Sequence, residues 1–281
     1  MLRLTSWNIH GLDDAWRHLL GSGTDVALLQ EAKAPPPDVA HLIEVDGGPW
    51  ATAPKSSHRN WRTSIARFSS RVQLRYIPTA PLNAPEASAL PVSLPGTLAL
   101  AEVTVESTGE VITVVSMYGA WEQPIGDAKT KWIYADGAVH RLLSDLSALI
   151  ARQHGHKIIA AGDLNVLYGY GENSSPYWRD RYSSIFYRFE AIGLHFVGPQ
   201  APEGWQQASP WPSELPVGSR NVPTYRTRQR DPRTATRQLD FVVASREIAG
   251  RVRVRALNEP DDWGPSDHCR VQIELLEDHE R

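Results

Sequence analysis

The chain has 281 residues, of which 41% are hydrophobic and 22% are charged, and this composition is typical of a soluble globular protein with a large core. A single cysteine, Cys269, excludes an intramolecular disulfide, and no uncharged apolar run approaches the roughly 18 residues of a transmembrane helix. The formal net charge of -3 argues against a protein that binds nucleic acid through its overall charge. Because the first residues form a strand-like pattern without a secretory signal, we expect a cytoplasmic location without membrane attachment.

Short runs of apolar and β-branched residues recur along the chain and predict strands. Alternation is clearest between residues 97 and 105, and Thr108-Gly109-Glu110 separates this run from the next, which predicts an antiparallel hairpin. The clearest predicted strands span residues 2–7, 26–29, 97–105, 111–117, 158–161, 239–244 and 271–275.

Three helical patterns lie between these runs. Apolar residues recur at three- and four-residue steps from Trp132 to Ile150, and a second pattern spans residues 175–192. Prolines open a third pattern over residues 35–45. The irregular order of elements fits mixed sheets with helices outside them better than a barrel or a doubly wound series. No repeat or low-complexity linker divides the chain, so we expect one domain over residues 1–281.

Polar side chains stand at six places where a predicted strand ends or begins. Each one alone is an ordinary turn residue, but together they form a constellation of acids, amides and one histidine. Its members are Asn8, Glu31, Tyr118, Asp163, Asn165, Asp240, Asp267 and His268.

Asp240 differs from the others because it interrupts the apolar run Leu239-Asp240-Phe241, where burying a carboxylate without a partner is costly. His268 is the best-placed partner, and a carboxylate that holds a histidine in one tautomer makes an oriented general base. Hard cations such as Mg²⁺ prefer one or two carboxylates together with water and substrate phosphate. Glu31, with Asn8 and Asp267 nearby, would satisfy that preference.

These motifs resemble the endonuclease/exonuclease/phosphatase superfamily, which includes relatives of DNase I and exonuclease III. The resemblance rests on Trp7-Asn8, Gln30-Glu31, Gly162-Asp163-Leu164-Asn165, Leu239-Asp240 and Ser266-Asp267-His268, which occur in the family's order. It implies an α/β fold, a four-layer sandwich of two mixed β-sheets packed face to face with helices outside. It also implies a divalent-metal-dependent phosphodiester hydrolase that uses Mg²⁺ or Mn²⁺.

The resemblance further implies a role for each residue of the constellation. Glu31 would be the principal metal ligand, with Asn8 and Asp267 contributing directly or through water. Asp163 would orient or deprotonate the attacking water, and Asn165 would hold the scissile phosphate. His268, paired with Asp240, would be a general base or a transition-state stabiliser. Tyr118 matches a tyrosine that lies near the phosphate in nucleases of the abasic-site type.

The substrate is less strongly indicated than the chemistry. Ten arginines lie between Arg220 and Arg255, and a local basic strip of this kind can bind phosphates. Candidate substrate-binding residues are His58, Arg226 and Arg228. The aromatic segment 167–187 could stack on bases, although helix packing is the favoured interpretation.

Three substrate hypotheses remain open. A nuclease that acts on DNA or RNA is favoured by the arginine strip and by Tyr118, and a nucleic acid would then be the partner. A phosphoesterase for small molecules or lipid headgroups is the alternative, favoured by the slightly acidic net charge. A catalytically inactive binding module is disfavoured because all the acid, amide and histidine positions are present together.

Overall fold

The structure is a computed structural model that describes residues 1–52, 60–121, 135–150, 156–202, 212–227 and 230–277. Its strands, in chain order, are β1 (Leu2–Asn8), β2 (Val26–Ala32), β3 (Glu44–Val45), β4 (Arg62–Arg67), β5 (Val72–Ile77), β6 (Thr79–Pro81), β7 (Leu90–Val92), β8 (Leu98–Val105), β9 (Val111–Tyr118), β10 (Ile158–Asp163), β11 (Leu194–Gly198), β12 (Asp240–Ser245), β13 (Val252–Leu257) and β14 (Arg270–Leu275). Its helices are α1 (Asp13–Leu20), α2 (Pro37–Ala40), α3 (Ala135–Ile150), α4 (Pro176–Ala191) and α5 (Arg246–Ala249), with short 3-10 turns at Glu172–Ser174 and Pro232–Thr234.

The strands form two six-stranded mixed sheets. The first has the order β13-β14-β1-β2-β4-β3, and the second has the order β11-β12-β10-β9-β8-β5. Each sheet contains one parallel pair at its centre, β1 with β2 and β9 with β10, and antiparallel neighbours on both sides. A small parallel pair, β6 with β7, lies apart from both sheets.

The two sheets pack face to face, and the alternation along each strand sends side chains to two different cores. In β9, Ile112 and Val114 lie in the core between the sheets, whereas Val115 and Met117 lie in the core on the outer face. Because successive side chains of a strand point to opposite faces, one apolar run serves both layers. The resulting arrangement is the four-layer α/β sandwich that the sequence predicts.

Helices cover the outer face of each sheet. Trp16 and Leu19 of α1 pack in one cluster with Trp7 of β1. On the other side, Leu142 of α3 and Phe186 of α4 pack against the second sheet. Among the described residues, no helix combines the length and hydrophobicity that crossing a membrane requires.

The site-forming residues meet at one edge of this sandwich. The carboxyl ends of β1 and β2 lie side by side, with Asn8 paired in register to Gln30, and those of β9 and β10 do the same, with Tyr118 paired to Asp163. The antiparallel strand β12 begins at the same edge, because Asp240 pairs with Asp163. One edge of two facing sheets therefore collects the polar residues at the strand ends.

The predicted elements agree with the structure except at one helix. All seven predicted strands are present, and the hairpin between β8 and β9 is antiparallel. The helical pattern from Trp132 to Ile150 corresponds to α3, with its first three residues outside the described residues, and the pattern over residues 175–192 corresponds to α4. Of the 35–45 pattern, only Pro37–Ala40 is helical. The prediction for residues 35–45 is wrong because the chain turns at Leu42 and enters the edge strand β3 at Glu44.

Candidate active site

Eight of the predicted site residues lie together at the edge where the parallel pairs end. Six of them are nearly inaccessible to solvent, with side chains that form the floor of the site, whereas Glu31 and Asp267 are more exposed. The buried six are Asn8, Tyr118, Asp163, Asn165, Asp240 and His268. Of the candidate substrate-binding residues, His58 and Arg228 lie outside the described residues.

Glu31 is aimed into the site by an irregularity in β2. The register with β4 shifts between Leu29 and Ala32, and Glu31 adopts a left-handed backbone conformation with φ 50°. Residues other than glycine rarely adopt this conformation, and a bulge re-aims the side chain beside it. The Glu31 carboxylate then accepts hydrogen bonds at Oε1 from the Tyr118 hydroxyl at 2.9 Å and from Asn8 Nδ2 at 3.3 Å.

Asp163 is held by the two amides of the site. Asn8 Nδ2 donates to Asp163 Oδ2 at 3.0 Å, which joins the end of β1 to the end of β10 across the two sheets. Asn165 donates to the same carboxylate twice, from its backbone N–H at 3.0 Å and from Nδ2 at 3.2 Å. Asn165 also has a left-handed backbone, with φ 52°, so a tight turn after β10 fixes its side chain beside the carboxylate.

His268 and Asp240 form the predicted pair. His268 Nδ1 lies 2.8 Å from Asp240 Oδ2, and its other ring nitrogen, Nε2, lies 3.6 Å from Asp163 Oδ2. The ring of Tyr225 lies against the imidazole, with centroids 5.0 Å apart. The histidine is therefore held in one orientation between two buried carboxylates.

Burial and charge shift the proton affinities of this buried group. Burial raises the pKa of Asp163 to about 7, although the charge of His268 acts in the opposite direction. Burial lowers the pKa of His268, but the carboxylates of Asp240 and Asp163 outweigh this and raise it to about 10. The two flanking carboxylates therefore favour the imidazolium form of His268, in which both ring nitrogens are donors.

The donor chemistry of the site fits a divalent cation. Glu31 and Asp267 are carboxylates with 19% and 11% of their side chains exposed, so they face the mouth of the site and water. Such oxygen donors, with room for water and phosphate, are the ligands that Mg²⁺ and Mn²⁺ prefer. Asp163, Asp240 and His268 also offer ligand atoms within 4.8 Å of one another. Their closeness is already explained by the Asp240–His268 hydrogen bond, so we favour Glu31 and Asp267 as the primary donors.

A model of the endonuclease/exonuclease/phosphatase family matches residues 5–268. The chain belongs to this family. It is therefore a hydrolase of phosphate ester bonds from a divalent-metal-dependent family. No curated protein matches the sequence.

Solved structures of similar fold include several nucleic-acid enzymes. The catalytic domain of Xenopus laevis APE2 has a TM-score of 0.63 at 15% identity, with 98% of this chain and 91% of that chain covered. The AP endonuclease LMAP from Leishmania major has a TM-score of 0.59 at 17% identity, with 98% and 88% covered. The 3'-5' exonuclease NExo from Neisseria meningitidis has a TM-score of 0.57 at 18% identity, with 98% and 100% covered. At these identities, the likeness shows the fold.

Arg226 borders the site, but its side chain is engaged by the protein itself. Its backbone N–H donates to the carbonyl of Asp267, and its guanidinium donates to the carbonyls of Ser266 and Arg230. Other members of the arginine strip bind carboxylates: Arg237 binds Glu172, and Arg251 binds Glu110. These three arginines of the strip are therefore engaged by other groups of the protein.

The aromatic segment after Asn165 mainly packs in the core, as the favoured interpretation predicts. Tyr170, Tyr182 and Phe186 are buried in the outer core of the second sheet. Tyr177 and Tyr187 have exposed fractions of 60% and 73%, and both belong to α4. The segment gives no sign of a row of stacking rings along the site.

Sequence reasoning assigns no role to three residues that contact the site. Ser266 Oγ donates to the carbonyl of Asn8 at 2.7 Å and fixes the loop that carries Asp267 to the end of β1. Tyr225 packs on the His268 ring, and nothing in its sequence context signals this because the contact is made across a long separation. His10 lies beside Glu31 and Asp267 and is signalled only by its place two residues after Asn8.

Proposed function

We propose that this chain is a nuclease that cleaves phosphodiester bonds of DNA or RNA with Mg²⁺ or Mn²⁺, by in-line attack of water. The observation that carries the proposal is the line Asp240–His268–Asp163, which Asn8 joins to Glu31 by donating to both Asp163 and Glu31. We further propose that residues 1–281 form one catalytic domain and that it acts in the cytoplasm. The similar folds of two AP endonucleases and a 3'-5' exonuclease support a polymeric nucleic acid as the substrate.

Glu31, Asp267 and Asn8 would hold the cation at the mouth of the site. When bound, a divalent cation supplies Lewis-acid stabilisation of charge on the phosphoryl oxygens. Tyr118 would act by holding Glu31 through the hydrogen bond from its hydroxyl. The exposure of Glu31 leaves one side of this centre open to substrate phosphate.

Asp163 would orient the attacking water and accept its proton. It is buried, it lies among donors, and burial raises its pKa into the range that suits a general base near neutral pH. Asn165, on the tight turn after Asp163, would donate a hydrogen bond to the scissile phosphate. No covalent enzyme intermediate is needed, because the nucleophile is water.

His268 would stabilise the transition state as a hydrogen-bond donor. Both its neighbours are carboxylates, so its imidazolium form is favoured and Nε2 presents a proton toward the site. A fixed donor aimed at developing negative charge is a strong source of rate acceleration. Of the two roles that the resemblance leaves open, the geometry therefore favours stabilisation over proton abstraction. Asp240 orients the ring.

A phosphoesterase for small molecules or lipid headgroups remains the second candidate. It is favoured by the internal pairing of two arginines of the strip. Arg237 and Arg251 bind carboxylates of the protein, so their charges are already partly neutralised. A small substrate needs few phosphate contacts, whereas a polymer-binding surface needs several.

The deciding experiment is cleavage of labelled single-stranded and duplex DNA and RNA in Mg²⁺ or Mn²⁺. The His268→Ala variant serves as the inactive control, and His195→Ala serves as the matched control because His195 is also paired with a carboxylate, Glu190. We expect metal-dependent cutting that is lost in His268→Ala and kept in His195→Ala. If none of the polymers is cut and a small phosphodiester is hydrolysed, the nuclease proposal is wrong and the phosphoesterase for small substrates is supported.

Salt dependence provides a separate test. A nuclease releases counterions when it binds a polymer, so its KM should rise steeply between about 50 and 200 mM salt. A phosphoesterase for small substrates should respond much less.

A further inference from the structure

His10 occupies an uncommon backbone conformation directly after the first metal-site motif. Its φ is 48°, and the following Gly11 is also left-handed, with φ 63°. The Asn8 side chain stabilises this turn, because Asn8 Oδ1 accepts a hydrogen bond from the His10 N–H at 3.0 Å. The backbone that carries the His10 ring is therefore held by the same residue that donates to Glu31.

The ring of His10 lies between the two carboxylates at the mouth of the site. His10 Nδ1 is 3.5 Å from Glu31 Oε2 and 3.6 Å from Asp267 Oδ1. Donor atoms that share one cation at about 2.1 Å each stand roughly 3 to 4 Å apart. The distances from His10 Nδ1 to the two carboxylate oxygens are therefore those expected between donor atoms that bind the same ion.

We propose that His10 is a nitrogen ligand of the divalent cation held by Glu31 and Asp267, and that it biases this centre toward Mn²⁺ and Co²⁺ over Mg²⁺. This inference rests on the proposed function and deepens it by assigning a metal preference to the same site. With Nδ1 as the ligand, the ring is neutral and its proton is on Nε2.

The preference follows from the chemistry of the donor. Carboxylates and water serve Mg²⁺ and Mn²⁺ alike, but an imidazole nitrogen adds affinity mainly for first-row transition ions. Affinity for a given mixed nitrogen and oxygen site rises from Mn²⁺ to Co²⁺. A site with oxygen donors alone would lack this bias.

The test variant is His10→Asn. Asparagine tolerates the left-handed backbone and replaces the nitrogen donor by an amide oxygen, so the turn after β1 is kept. The control is His195→Asn, because His195 has a similar exposure, 29% against 32%, and is also paired with a carboxylate. His195 lies far from the site, since it is paired with Ala244 toward the opposite end of β12.

Binding of Mn²⁺, Co²⁺ and Mg²⁺ is measured by titration calorimetry without substrate, and pulsed electron paramagnetic resonance of the Mn²⁺ complex reports nitrogen coupling. We expect nitrogen coupling in the wild type and in His195→Asn, and none in His10→Asn. We also expect His10→Asn to lower the Co²⁺ over Mg²⁺ affinity ratio about tenfold or more.

The outcomes separate this inference from the proposed function. Suppose that the wild type binds Mn²⁺ without nitrogen coupling and that Glu31→Gln lowers the Mn²⁺ affinity. This result would support the metal centre at Glu31 and overturn the role of His10 as a ligand. Unchanged coupling in His10→Asn would overturn it as well. Protein that binds none of the three ions would overturn both the inference and the metal centre on which it rests.

Discussion

At the scale of single residues, the site keeps conformations and charges that a purely structural position would avoid. The second carboxylate oxygen of Asp240, Oδ1, is buried and has no hydrogen-bond partner within the described ranges. An unsatisfied buried acceptor costs about 1–3 kcal/mol. Glu31 and Asn165 add left-handed backbones, which rarely persist unless their surroundings enforce them. These local costs coincide with the residues proposed to carry the chemistry.

Replacement of Asp240 by asparagine tests the orientation of His268. The amide keeps the volume but loses the charge that favours the imidazolium, and it allows the wrong tautomer. We expect kcat to fall about 100-fold to 10,000-fold, by analogy with the same change in a catalytic triad. Circular dichroism should show a retained fold. Turnover within a factor of three of the wild type would contradict the assignment.

Replacement of Tyr118 by phenylalanine tests the support of Glu31. The change removes only the hydroxyl that donates to Glu31 Oε1, while the ring keeps its edge contact with Trp61. A hydrogen bond to a charged group contributes about 1.5–3 kcal/mol, so we expect the half-saturating metal concentration for activity to rise about tenfold or more. An unchanged metal requirement would place Tyr118 outside the support of the metal centre.

At the scale of elements, the site depends on a close approach between the ends of β9 and β10. A Cβ added to Gly162 would lie 1.8 Å from the carbonyl oxygen of Met117, and one added to Gly119 would lie 2.2 Å from the carbonyl oxygen of Leu164. Glycine is needed at both positions because backbone, which cannot rotate away, occupies the space. This approach brings Tyr118 level with Asp163.

Gly162→Ala should separate these strand ends. We expect a loss of about 3 kcal/mol or more in the free energy of unfolding, since overpacking against backbone has no simple relief. Gly250→Ala is the matched control, because a Cβ there meets nothing within 4 Å. Urea denaturation of the two variants beside the wild type measures the difference. Equal midpoints for Gly162→Ala and Gly250→Ala would show that the strands can move apart freely.

The sequence predicts these elements well where the signal is local. The strands that carry the site are apolar runs that end in polar residues, and each serves two cores, so their patterns are long and clear. The helix α1 is missed because its eight residues, Asp13–Leu20, make only about two turns, which is too short a window for the helical period to be recognised. The 35–45 pattern is overestimated because prolines suit a helix start but do not specify its length.

The site itself is predictable in composition but not in geometry. The burial of Asp240 between Leu239 and Phe241 demands a partner, and in the structure Asp240 lies within hydrogen-bond distance of His268. The bulge that turns Glu31 inward depends on the pairing of β2 with β4, which no local pattern encodes. The contact of Tyr225 with His268 likewise arises from tertiary structure alone.

At the scale of the whole molecule, a partly buried ion cluster joins the two sheets at the edge opposite the site. Arg251 is only 4% exposed, and its guanidinium donates to both carboxylate oxygens of Glu110, at 2.9 and 2.7 Å. Lys157 donates to the same carboxylate at 2.9 Å. Glu110 precedes β9 in the second sheet and Arg251 precedes β13 in the first, so the cluster links their ends.

This cluster predicts a pH dependence of stability. The hydrogen bonds from Arg251 are the main cause that lowers the pKa of Glu110 to about 2 from its ordinary value of 4.5. A carboxyl group with a lowered pKa in the folded state contributes stability above its unfolded pKa, and this contribution is lost as the pH falls toward the folded value. Glu110→Gln should therefore lose about 1–3 kcal/mol at pH 7 and less at pH 3.

Urea denaturation at both pH values measures this effect. Glu102→Gln is the control, because Glu102 is paired with a largely exposed arginine, Arg75, and exposed pairs contribute about 0–1 kcal/mol. An equal loss at both pH values would show that Glu110 stabilises through packing and not through its charge.

The position of β1 has a consequence for how the candidate site assembles during folding. This strand lies between β2, its close neighbour in sequence, and the distant β14, with Leu2 in register with Leu275. The pairing of β1 with β2 brings Asn8 and Glu31 together, whereas Asp267 and His268 reach the site only with the segment that leads into β14. Contacts between distant segments require the closure of a long loop and are slow to form. A folding intermediate in which β14 is not yet docked would therefore hold only part of the candidate site.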